Sequence, residues 1–141
     1  MSVGRFIASG VFGAALVLGV AASPATAADG TQRAMPKAGT PAGGCLYEDW
    51  WAKVCFEPVG EWFWLLDKTG ASSHFAVEWE HWTSSGVRRH GVIYNDHGPA
   101  GSWTAVNKSF EEGLTVVWRV CDYDVPSGGL SWCSGGNVSP T

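Results

Sequence analysis

Basic side chains are scarce. Nine Lys and Arg against thirteen Asp and Glu leave the 141-residue chain with a formal charge of −4 and an isoelectric point near 5.4. Without a basic surface there is little to hold phosphate, which argues against a nucleic-acid partner. Charged residues make up only 16% and apolar residues 45%, the balance of a globular chain, and the length allows one domain and excludes two. Catalytic signatures are also missing. There is no G-x-S-x-G and no H-E-x-x-H, so neither a nucleophile elbow nor a zinc protease site is encoded. Ser102 near Asp96 and His97 is a coincidence of composition. His74, His81, His90 and His97 form no tight pair, and Asp122-Tyr123-Asp124 before Pro126 lacks the spacing of a calcium loop. Glu78 and Glu80 share one strand face at about 7 Å, a glycosidase-like separation. A chain this small has little scaffold to sink them in the deep cleft that such chemistry needs. The sequence therefore reads as that of a non-enzymatic protein, with no cofactor and no metal.

What is present begins with an export signal. Met1–Arg5 carries one positive charge, Phe6–Ala22 is an uncharged apolar run of 17 residues, and Ala25-Thr26-Ala27 is an A-x-A cleavage site. A membrane span needs about 20 residues, so residues 1–27 read as a cleaved signal peptide. The mature protein is expected to be secreted and extracellular, with no membrane contact after cleavage. Cys45, Cys55, Cys121 and Cys133 all follow the signal, and in an oxidising compartment two disulfides are the default. Four cysteines allow three connectivities. Sequence neighbours bracket hairpin-sized segments, which favours Cys45–Cys55 and Cys121–Cys133, each worth about 3 kcal/mol by loop closure. The spacings are unlike those of thiolate zinc ligands.

Residues 28–44 have no aromatic or β-branched aliphatic side chain, two Pro and four Gly. Such a segment buries too little to offset its ordering entropy and reads as a flexible, basic N-terminal arm. From Cys45 onward, β-branched and aromatic runs alternate with turn clusters every eight to twelve residues, without helical periodicity. Ser73–Trp82 is the clearest strand. Phe75, Val77, Trp79 and His81 fall on one face, with Ala76, Glu78, Glu80 and Trp82 on the other. The expectation is an all-β fold, an antiparallel β-sandwich of about seven to eight strands over residues 45–141.

Nine tryptophans exceed what one small core absorbs, so some must lie at the surface, where aromatic patches mark binding sites. The candidate partner-binding residues are Arg33 and Lys37 of the arm with Trp50, Trp62, Trp64, Trp79 and Trp82. Their most direct reading is a secreted protein-binding module or adaptor. A carbohydrate-binding module that stacks sugar on tryptophan is the alternative. A third is a protease inhibitor offering Arg33 or Lys37, or Arg88-Arg89 in a turn, to a trypsin-like cleft. Several coplanar exposed rings in a row would favour sugar. An apolar patch beside an unpaired strand edge would favour protein.

Trp51-Ala52-Lys53-Val54-Cys55-Phe56, Asp67-Lys68-Thr69-Gly70 and Asn95-Asp96-His97-Gly98-Pro99-Ala100-Gly101-Ser102-Trp103 resemble segments of small secreted β proteins of filamentous actinobacteria. In architecture (signal peptide, basic arm, compact disulfide-bonded β domain) the chain is also similar to the small adaptor subunit of umbrella toxin particles. That likeness implies other secreted proteins as partners, with the arm and an edge strand as the contacts.

Overall fold

The computed structural model describes residues 29–70, 74–96 and 100–141; the expected export signal, residues 1–27, lies outside them. Eleven strands run in chain order: β1 (Gly30–Arg33), β2 (Met35–Pro36), β3 (Tyr47–Glu48), β4 (Ala52–Glu57), β5 (Trp62–Asp67), β6 (Phe75–Trp82), β7 (Arg88–Asn95), β8 (Trp103–Asn107), β9 (Thr115–Asp124), β10 (Gly129–Ser131) and β11 (Asn137–Pro140). No helix occurs among the described residues. One sheet has the order β1-β7-β6-β9-β10, with β11 also on β9, and the other β2-β8-β5-β4-β3. All pairings are antiparallel except β1 with β7. The expected sandwich is present, with Cys45 bonded to Cys55 and Cys121 to Cys133.

Period-two patterning decides what lies between the sheets. Phe75, Val77, Trp79 and His81 of β6 are all buried. The first three meet Val54 and Phe56 of β4, Phe63 and Leu65 of β5, and Val116, Trp118 and Val120 of β9 in one core. Phe110, from the β8–β9 connection, closes one end of this core, with its ring centroid 5.2 Å from Trp79 and 4.9 Å from His81. His81 Nε2 accepts from the Glu111 amide at 3.2 Å, which leaves Nδ1 to donate to the Thr115 carbonyl at 2.9 Å.

The N-terminal segment departs from expectation. Its described residues 29–44 are built into both sheets: β1 pairs with β7, Ala34 is buried, and β2 pairs with β8. The flexible arm is thus corrected to two edge strands that step from one sheet to the other. Backbone hydrogen bonds to an open edge need no large side chain, so a count of apolar residues misses them. The approach is close. A Cβ on Gly91 would lie 2.6 Å from the Gly30 carbonyl oxygen and 2.8 Å from the Trp79 ring. Toward the C-terminus, β10 and β11 are separate strands, with the Cys121–Cys133 bridge anchoring the segment between them.

Candidate functional site

The most exposed large hydrophobic side chains among the described residues are Trp132, at 88%, Val59, at 83%, and Trp50, at 76%. The two tryptophans share one cleft. Its volume is about 570 Å³, and Tyr47, Asp49, Trp50 and Trp51 wall one side while Asp122 and Trp132–Ser134 wall the other. It forms where β3, the edge of one sheet, faces the β9–β10 margin of the other.

Local sequence explains each wall. Asp49-Trp50-Trp51 is the connection between β3 and β4, closed by the Asp49 amide donating to the Ala52 carbonyl at 2.9 Å. The Trp50 amide donates to Asp49 Oδ1 at 2.6 Å. Trp51 turns inward, edge-on to Phe75 at 5.4 Å and to Tyr47 at 6.4 Å, so it joins the cleft to the core. Opposite, Trp132 has a φ of 48°. An aromatic residue in that left-handed region must be fixed by its surroundings. Cys133 next to it is bonded to Cys121, and the Ser134 amide donates to the Val120 carbonyl at 2.7 Å. The two carboxylates arrive from different sheets. Burial, followed by the charge of Asp49 and a smaller contribution from Asp122, pushes the Tyr47 hydroxyl above its ordinary range.

The expected partner-binding residues are dispersed. Trp50 lies in the cleft. Trp62 and Trp64 stand on the outward face of β5 with Trp103, and Lys37 lies over them, its Nζ 3.9 Å and 5.2 Å from the two ring centroids. Trp64 is only 4% exposed, and its Nε1 donates to Glu57 at 2.9 Å. Trp79 is 1% exposed. Both are corrected from binding residues to interior ones. Trp64 is covered by neighbouring rings, and Trp79 projects between the sheets. Trp82 is half exposed at the end of β6, far along the strand, and donates from Nε1 to Glu80 at 2.7 Å. Arg33 pairs with Asp96 at 2.5 Å.

Sequence reasoning missed Trp132, Tyr47, Asp49 and Asp122 as site residues. The available signal was Trp132 beside a half-cystine, since a disulfide fixes whatever its neighbours present.

The outward face of the β1-containing sheet holds a second, smaller hollow of about 410 Å³, lined in part by Glu78, Glu80, Arg88 and Arg119. Arg119 pairs with Glu78 at 2.5 Å, and Arg88 Nε donates to Glu80 at 2.6 Å. Hydrogen bonding from Arg88 holds the Glu80 carboxyl below its usual range. A general acid needs the opposite shift. Glu78 also approaches the sulfurs of Cys121 and Cys133, but these are bonded to each other and offer no thiolate. No protein-family model, curated protein or solved structure matches the chain.

Proposed function

We propose that this is a secreted, non-enzymatic protein-binding module whose contact face is the Trp50–Trp132 cleft. The observation that carries the reading is the pair of exposed tryptophans held on fixed backbone beside an open sheet edge. Leu46, 53% exposed, precedes β3 and Trp50 follows it, so apolar side chains bracket a strand that pairs on one side only. Aromatic anchors of this kind dominate protein interfaces, and a backbone fixed before binding limits the entropy lost on association. The disulfides fit an oxidising, extracellular setting.

The row of rings at Trp62, Trp64 and Trp103 does not favour a sugar platform. Its planes are tilted by 47° and 89° from one to the next, and Lys37 covers Trp62. An inhibitor reading finds its basic residues engaged: Arg33 with Asp96, Lys37 over the Trp62 ring, Arg88 with Glu80 and Arg89 with Asp29. Resemblance in architecture to the adaptor subunit of umbrella toxin particles extends the proposal to an adaptor that joins components of an extracellular antibacterial complex.

The test is mass spectrometry of proteins that co-purify with the tagged mature chain from its producer's culture fluid. Stoichiometric companions are expected with the natural sequence and with Trp82→Ala. Trp50→Ala and Trp132→Ala are each expected to weaken retention by about 2 kcal/mol or more while the domain stays folded. A bare monomer with the natural sequence, alongside retention on a glycan array, would replace this reading with the carbohydrate one.

A further inference from the structure

We propose that the Trp50–Trp132 cleft takes a cationic side chain, lysine or arginine, presented by an extended segment of the partner protein. This rests on the reading of the cleft as the partner contact and names the chemistry it recognises.

Two carboxylates, Asp49 from one sheet and Asp122 from the other, line the same aromatic-walled space. Two neighbouring cations have other partners. Lys53 pairs with Glu48 at 2.9 Å; Lys68 lies 3.3 Å from Glu48 and donates to the backbone carbonyl of Asp49 at 2.8 Å. Two carboxylates lining one cleft give it a negative field, which a ligand cation complements. The Tyr47 hydroxyl, raised first by its burial, is raised further by Asp49 and by a smaller contribution from Asp122, so both carboxylates act on the aromatic wall.

Trp50, Trp51, Trp132 and Tyr47 supply ring faces against which an ammonium or guanidinium group is attracted by the ring quadrupole. The same pairing already operates inside the molecule, where Lys37 lies over Trp62 and Lys108 over Trp79 at 4.7 Å. A volume of about 570 Å³ admits a long side chain together with its flanking backbone, and β3 offers that backbone an unpaired edge. Charge complementarity extends beyond the cleft. Residues 45–141 hold twelve Asp and Glu against six Lys and Arg, a field that draws basic segments toward it. A neutral sugar gains nothing from that long-range field.

The experiment follows the indole N–H resonances of Trp50 and Trp132 in the mature protein, assigned by substitution. The titrants are three capped tripeptides that differ only in a central arginine, lysine or citrulline. Arginine and lysine peptides are expected to shift both resonances saturably, with affinity falling as salt rises, and citrulline, the neutral isostere, to leave them in place. Asp49→Asn combined with Asp122→Asn is expected to weaken binding about tenfold or more, with an unchanged amide spectrum showing that the fold is intact.

Equal shifts from the citrulline peptide, or undiminished binding by the double variant, would overturn the proposal. So would shifts produced only by a neutral oligosaccharide. Failure here is separable from failure of the underlying reading. Companions lost with Trp50→Ala while no cationic peptide moves the indoles would leave the cleft as the partner contact and remove the cation.

Discussion

Tryptophan serves three different ends in this molecule, and the surroundings of each ring decide which. Trp79 and Trp118 are sealed between the sheets. Trp118 Nε1 donates to the Ser139 hydroxyl at 3.0 Å, whereas the buried Trp79 Nε1 has no hydrogen-bond partner among the described residues and the ring carries Lys108 over its face. Trp62, Trp64 and Trp103 shield an outward sheet surface, while Trp50 and Trp132 face solvent. Alternation along β6 made the inward set legible, because Trp79 shares a parity with Phe75 and Val77. It failed for β5, where Trp62, Trp64 and Leu66 form one apolar face and Phe63 and Leu65 the other, and nothing in the order of residues says which of the two meets the core. These placements separate stability from binding. Trp79→Ala is expected to cost about 3–5 kcal/mol, read as a lowered denaturation midpoint. Trp50→Ala is expected to move that midpoint by no more than about 0.5 kcal/mol. A large loss of stability at Trp50 would place its ring in the packing and withdraw it from the site.

At the scale of the element, the informative strand is β1. Strands β4 to β9 were readable because apolar period-two runs end at turn residues. β1 was not, because Gly30-Thr31-Gln32-Arg33 has no apolar face to recognise. What holds it is the β7 edge, the Ala34 amide donating to the Tyr94 carbonyl at 2.8 Å, and ion pairs at either end, Asp29 with Arg89 and Arg33 with Asp96. The trace it leaves lies on its neighbour. Gly91, a glycine inside an otherwise well-formed strand, is the mark of a backbone passing close by. Its missing Cβ would otherwise press on both the Gly30 carbonyl and the Trp79 ring. Gly91→Ala should therefore destabilise the fold by about 1–3 kcal/mol. It should also speed hydrogen exchange of β1 amides ahead of those in β4 and β5. Uniformly faster exchange across both sheets would mean that Gly91 serves the Trp79 core alone and that β1 is held independently of it.

For the whole molecule, the end of the sandwich remote from the cleft contains groups whose protonation couples to folding. Lys108 is 1% exposed, and its Nζ donates to Gln32 Oε1, which ties β1 to the connection after β8. Burial, with Arg89 adding to it and Asp29 opposing, lowers its ammonium from 10.5 to about 8. Between those values the native lysine is neutral while the unfolded one still holds its proton. The unfolded state then binds more protons, and stability rises with pH across that window. The full shift corresponds to about 3 kcal/mol. Two tyrosines limit the gain. Tyr47 and Tyr123 are both held above their ordinary value of 10.0, mainly by burial, so the unfolded chain ionises first and stability declines beyond that point. Glu61 acts at the acid end. Burial raises its carboxyl, so the stability it gives is complete below the ordinary carboxylate range and is lost as pH rises through its folded value. The expected profile climbs from about pH 8 to a maximum near pH 10. Denaturant melts of the natural protein and of Lys108→Met across this range provide the check. The variant should lack the climb, so that any stability advantage it holds at neutral pH shrinks as the natural lysine loses its proton. A climb of equal size in both proteins would assign the alkaline gain to another group and leave Lys108 charged in its buried place.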